Sequence, residues 1–259
     1  MKPLFLESEL PVDDLVRVGL WKNGKPSLSL ENLQALLSGR RTELLTLENV
    51  QADGFLIKRL DVKLSLQRSE AGWVSLQAHP IHHQVQRDTQ LDENEIEQLT
   101  GEHAAIVIKS VKGGDGKYKK LVFEYDPQTR EFISYDPSQI QVPEHVNGVA
   151  LTPEQKKAFR KGLTVELPDG TVFQHRASEP SGLRSDRKAL VLSVLLNGGI
   201  SYLLVRGIRS VMGEGHEQKD EYTAGFKMGL AAMERWQHKK DVPQINLQDL
   251  EREARRPLR

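Results

Sequence analysis

The sequence predicts an α+β fold: repeated short-helix plus antiparallel β-hairpin units with a more helical C-terminal part. Three observations predict it. A helix-like phrase recurs at Leu28–Gly39, Leu91–Gly101 and Leu151–Gly162, its starts 63 and then 60 residues apart. Each copy opens on Leu, places a large apolar residue eight positions later (Leu36, Leu99, Phe159) and stops at Gly. Each is followed by strand-rich sequence, in places alternating with period two as half-exposed strands do. Beyond about Met212 the chain turns polar, and Tyr222–Lys239 then carries Phe226, Met228, Leu230, Met233 and Trp236 in a pattern compatible with one amphipathic helix. A repeated small unit suits binding surfaces better than catalysis. The third copy is imperfect, because Lys156 stands in the apolar slot of Leu33 and Ile96.

Taken in order, Leu10–Gly19 predicts a short helix with Val12, Leu15 and Val16 at helical spacing and Gly19 as its stop. Trp21–Pro26 has turn chemistry. The first recurring helix carries Leu30, Leu33, Leu36 and Leu37 on one face, with Ser29 as N-cap. Four strands follow, at Leu44–Glu48, Phe55–Leu60, Val62–Gln67 and Trp73–His79, with hairpin connections at 52–54 and 69–72. Val62, Leu64 and Leu66 alternate with Lys63, Ser65 and Gln67, the pattern of a half-exposed sheet.

The second unit has strands at 104–111, 118–125 and 131–135, and the Pro-containing connector 142–148 leads to the third helix. Leu163–His175 is a hairpin turning on Asp169-Gly170. The apolar run Ala189–Val205 is 17 residues long and broken by Asn197-Gly198-Gly199, too short and interrupted for a membrane span; it is read as two buried helical segments. The expected units are therefore 1–88, an N-terminal α+β unit; 89–148, a second helix–hairpin unit; 149–211, a third with two buried apolar helical segments; and 212–259, a polar linker, amphipathic helix and mobile tail.

Composition narrows the function classes. Thirty-six basic groups balance 36 acidic ones, which excludes a globally cationic nucleic-acid binder but leaves a local basic face open. The absence of cysteine removes disulfides, thiolate nucleophiles, zinc ribbons and iron–sulfur sites, and fits a reducing interior. The opening residues are too acidic, with too short an apolar run, for a signal peptide; a soluble, cytoplasmic protein with no membrane partner is expected.

The strongest site candidate lies at 156–188, where Lys156, Lys157, Arg160, Lys161, Arg176, Arg184, Arg187 and Lys188 face Glu166, Asp169, Glu179 and Asp186, an excess of four cations. Lys156, Lys157, Arg160 and Lys161 share one helix flank by their spacing. Gly182–Arg187 would place the Arg184 and Arg187 guanidinium forks at a helix N-terminus, a phosphate-binding arrangement. The competing reading is a solvated face with Asp186 capping the next helix.

Arg40-Arg41 would serve phosphate equally, or complement the dipole of the preceding helix. The loop Lys112–Lys117 is glycine-rich but lacks the Walker spacing. His79, His82 and His83 cluster without the further ligands a metal needs, and read as a surface loop. Phe123, Tyr125, Phe132 and Tyr135 are core residues or base-stacking groups. No nucleophile elbow, Rossmann fingerprint or isolated carboxylate pair marks an enzyme, so no catalytic residue, cofactor or metal is assigned.

Three passages, LSLENLQALLSGRRTELLTLE (28–48), PEHVNGVALTPEQKKAFRKGLTVELPDGT (143–171) and GLRSDRKALVLSVLLNGGISYLLVRGIRSV (182–211), resemble an uncharacterised bacterial family carrying domains of unknown function 4099 and 3945. The similarity covers roughly residues 4–211. It implies an association with conjugative and other mobile elements, sometimes alongside topoisomerase-like proteins, and brings no catalytic residues. The expectation is a non-enzymatic accessory protein that binds nucleic acid or a nucleic-acid-processing enzyme, with Lys156, Lys157, Arg160, Lys161, Arg184 and Arg187 holding phosphates. The alternative is a protein–protein scaffold without direct nucleic-acid contact.

Overall fold

A computed structural model describes residues 4–52, 55–101, 104–113, 116–196, 199–211 and 217–241, and it is α+β with antiparallel sheets. Near the N-terminus a short helix α1 (Val12–Arg17) is followed by the two-stranded ribbon β1 (Trp21–Lys22) and β2 (Lys25–Pro26). Helix α2 (Leu30–Leu37) starts where expected, because the Ser29 hydroxyl accepts the Asn32 amide. It leads into β3 (Leu45–Ala52), β4 (Phe55–Arg68) and β5 (Val74–Pro80), a sheet in that order. The two strands expected at 55–60 and 62–67 are one continuous strand. Leu36, Leu47, Val62 and Leu64 close the core of this segment.

Helix α3 (Glu93–Thr100) precedes β6 (Val107–Lys112), β7 (Tyr118–Asp126) and β8 (Glu131–Tyr135), again a three-stranded sheet in chain order. Here Asp92 and Glu95 form a reciprocal capping box. Leu91, Leu99 and Phe123 make a smaller core. The connector expected at 142–148 holds β9 (His145–Val146), which turns through Asn147-Gly148 into β10 (Val149–Ala150).

Helix α4 (Pro153–Arg160) is capped by a Thr152–Gln155 box and is followed by β11 (Val165–Glu166), β12 (Val172–His175) and β13 (Leu183–Ser185), a third sheet in chain order. Gly162 has φ +69°, and a Cβ there would lie 2.8 Å from the Tyr135 hydroxyl and 3.3 Å from Ile106 Cγ2. Only glycine fits that left-handed, crowded stop.

The apolar run corrects the sequence reading. It is a hairpin of β14 (Ala189–Leu196) and β15 (Gly199–Arg206), not two helical segments. The short β9 pairs with β14 on one side and β10 on the other, giving the order β10-β9-β14-β15. Leu190 and Leu192 point into the core with Phe159 and Phe173, while Ala189 and Val191 contact helix α5 (Ala224–Asp241) through Phe226. With both faces covered, the strands carry no polar alternation. The C-terminal part is thus a hairpin plus one long helix, and the tail beyond 241 lies outside the described residues. Among the described residues, no helix is long and apolar enough to cross a membrane.

Candidate functional site

The charged groups divide into a buried set that joins segments and an exposed set that does not. At the centre of the buried set, Lys63 Nζ (1% exposed) lies 2.9 and 3.1 Å from the two carboxylate oxygens of Asp126 and donates to the Ser178 carbonyl. Asp126 ends β7, and Ser178 follows β12, so one lysine of β4 ties three parts of the chain together. Arg41 Nη1 reaches Asp126 at 3.4 Å, the Thr129 hydroxyl at 2.9 Å and Glu131 at 2.7 Å.

Glu131 also accepts from His79 Nδ1 (3.1 Å) and His82 Nε2 (3.2 Å). Desolvation opposes its charge, but the His79 hydrogen bond, the Arg41 guanidinium and His82 outweigh it and hold its carboxyl down at about 2. The two histidines read as a surface loop are therefore partners of a carboxylate on β8. A folded-state value below the ordinary 4.5 means that Glu131 stabilises the fold above that pH and loses the contribution as pH falls toward 2. Urea midpoints measured from pH 5 to pH 2 are expected to fall less steeply for Glu131→Gln than for the native chain; parallel curves would contradict the assignment.

A second buried pair lies alongside. The Glu124 carboxylate accepts the Ser178 amide and sits 3.9 Å from Arg176 Nη1. Burial pushes the Glu124 carboxyl up and the Arg176 guanidinium down. Arg209 completes the junction, reaching Glu43 at 2.9 Å, Gln128 at 2.9 Å and Glu179 at 3.5 Å.

Three of the six phosphate candidates are committed to internal contacts. Arg184 donates to Glu179 at 2.8 Å through Nε, with Nη2 at the same distance. Arg187 donates to the Asp220 carbonyl and lies 3.8 Å from Asp186. Lys156 pairs with Glu144. The helix N-terminus expected for Arg184 and Arg187 does not exist, since they lie at and just beyond β13 and β14 follows. Asp186 accordingly caps no helix and accepts the Val172 amide instead.

The other three stand together. Lys157 and Arg160 are exposed on α4, Lys161 is half-buried at its C-terminus, and none makes an ion pair among the described residues. Their spacing, three and four residues from Lys157, sets them on one flank. Arg41 is buried, whereas Arg40 is half-buried: its Nε donates to the Pro180 carbonyl at 2.9 Å, and desolvation lowers its guanidinium to about 10.

A cleft of about 610 Å³ is lined by Ser38, Arg40, Tyr135, Asp136, Gln139 and His175, among others. His175 Nδ1 donates to the Gly182 carbonyl, while burial and then Arg40 keep the ring neutral, at about 3. A neutral ring has no charge to offer a phosphate. Among the described residues, no group of three His, Cys, Asp or Glu side chains is placed to hold a metal ion. Phe123 is buried, Tyr125 and Phe132 pack with it, and Tyr135 stands edge-on to His175. These aromatics serve the interior.

The folded N-terminal segment, with α1, α2 and the β3-β4-β5 sheet on one core, is also where the chain resembles other sequences. Residues 5–90 match the family described as protein of unknown function (DUF4099). That match includes the first of the three passages singled out above and stops short of the other two. No curated protein and no solved structure matches the chain.

Proposed function

We propose that this chain is a non-catalytic binding module whose contact is the phosphate backbone of nucleic acid. The observation that carries it is the flank of α4, where Lys157, Arg160 and Lys161 have no acidic partner among the described residues while Arg184, Arg187 and Lys156 are held by Glu179, Asp186 and Glu144. Unpaired cations on one helix flank neutralise phosphates and displace counterions without reading bases. The three helix-plus-sheet segments are read as copies of one unit, with the N-terminal copy inside the DUF4099 match. An accessory role in a conjugative or other mobile element, beside a topoisomerase-like enzyme, is the setting in which such a module would act.

A scaffold without nucleic-acid contact is the second reading, favoured by the outer edge of β15, which has no strand partner among the described residues. Salt separates the two. The triple variant Lys157→Gln/Arg160→Gln/Lys161→Gln is expected to weaken binding to labelled single-stranded DNA and to reduce the log–log salt slope by about 2, near 0.7 per lost contact. An unchanged slope would remove α4 from the interface. Alanine at Arg184 and Arg187 is a poorer probe, because it strips ion pairs from Glu179 and Asp186 inside the fold.

A further inference from the structure

The hairpin of β6 and β7 carries cations that its own segment does not neutralise. Residues 109–120 hold Lys109, Lys112, Lys117, Lys119 and Lys120 against Asp115 alone. Lys109 is paired with Glu95 at 2.6 Å. Lys112 and Lys120 make no ion pair among the described residues, and both are exposed. Lys119, also exposed, lies near enough to Asp136 to help lower its carboxyl, behind the hydrogen bonds from Ser138.

The register shows how these groups are arranged. Lys112 is opposite Tyr118, Ser110 opposite Lys120 and Ile108 opposite Val122. Because side chains alternate, Lys112, Tyr118 and Lys120 share one face. Toward the root of the hairpin that face enters the interior, with Val122 fully buried and Glu124 1% exposed. Toward the loop it is open: Tyr118 is 73% exposed, belongs to no core cluster and is bracketed by two lysines. An aromatic ring left in water between cations has the chemistry of a stacking platform for an unpaired base whose phosphates the cations hold.

The hairpin also joins the flank described above. Ile106, next to the start of β6, lies 3.3 Å from the Cβ position of Gly162, at the end of α4. Lys112, at the end of β6, lies roughly 20 Å along the strand from there, at about 3.4 Å per residue. We propose that the β6–β7 hairpin is a single-stranded nucleic-acid site, with Tyr118 stacking a base and Lys112 and Lys120 holding the adjacent phosphates. It rests on the reading of the chain as a nucleic-acid-binding module and names a strand type that α4 alone does not.

The test is fluorescence anisotropy of the full chain with a labelled oligothymidylate and with a labelled duplex, over a salt series. Tyr118→Ala is expected to weaken oligothymidylate binding about 5- to 150-fold at an unchanged salt slope, the range for losing one stacked base. Lys112→Gln/Lys120→Gln is expected to reduce that slope by about 1.4. Both changes lie on exposed positions, and thermal melts matching the native chain verify the fold. If both variants bind as the native chain does while the α4 triple variant loses binding, the hairpin is not the site and the broader reading stands. Duplex binding as tight as that of the oligothymidylate, with no effect of Tyr118→Ala, would overturn the stacking assignment. A native chain that binds neither probe at low salt would overturn both readings together.

Discussion

Replacing Asp126 by Ala is expected to cost about 3–5 kcal/mol of stability, the range for breaking a buried pair and leaving its partner charged. Asp126 is 1% exposed and faces Lys63, also 1% exposed, with Arg41 3.4 Å away. The variant leaves the Lys63 ammonium with the Ser178 carbonyl as its remaining hydrogen-bond acceptor. Because Lys63, Asp126 and Ser178 come from different sheets or their connections, the effect is cooperative: the urea midpoint falls for the whole chain with the m-value unchanged. The double variant Lys63→Met/Asp126→Leu is expected to recover much of the loss, since two apolar groups replace two desolvated charges. A loss below about 1 kcal/mol for Asp126→Ala would show that water reaches the pair.

Gly225→Leu/Gly229→Leu is expected to loosen α5 while leaving the sheet beneath it intact. A Cβ at Gly225 would stand 2.9 Å from the Asn147 carbonyl, and one at Gly229 3.0 Å from Val191 Cβ and 3.3 Å from the Gly148 amide. These glycines, one turn apart, let the helix approach β14 and the Asn147-Gly148 turn closely enough to bury Phe226 to 1% exposure. Overpacking there costs about 1–3 kcal/mol. Amide exchange within α5 should therefore quicken roughly 5- to 150-fold, while β14 keeps its protection. Unchanged exchange in α5 would mean that the helix does not depend on this close approach.

Much of the architecture was legible from local chemistry. Ser29 was recognisable as a cap, Asp92–Glu95 and Thr152–Gln155 turned out to close two further starts, and Gly39 and Gly162 have the positive φ of helix stops. Alternation located the strands around Val62–Gln67, and Asp169-Gly170 located its hairpin. The run 189–205 failed for a physical reason: a strand covered on both faces has no polar period, and its length does not separate strand from helix. The β-branched Val191, Val194 and Val205 were the signal that favoured strand.

The charge network was less legible. Lys63 occupied the polar half of an alternating strand and looked solvent-facing, yet its partner Asp126 is 63 positions away in the chain. Nothing in the sequence links Arg41 to the His79 and His82 cluster, while Glu131 gathers all three. Of the basic neighbourhood at 156–188, proximity in sequence did not decide which cations were free: Arg184 and Arg187 pair with acids within five residues, Lys156 pairs with Glu144 twelve residues away, and Lys157, three residues from Glu154, makes no ion pair among the described residues. Tyr118 carries no signal of its own in the sequence; only the strand register places it between Lys112 and Lys120.

The most direct measurement is the anisotropy of the native full chain with labelled single-stranded and duplex DNA from low to moderate salt. A dissociation constant that rises linearly with salt on logarithmic axes, with tighter binding to the single strand, is the predicted result. No binding at low salt, or an affinity indifferent to salt, would contradict it and leave the scaffold reading in its place.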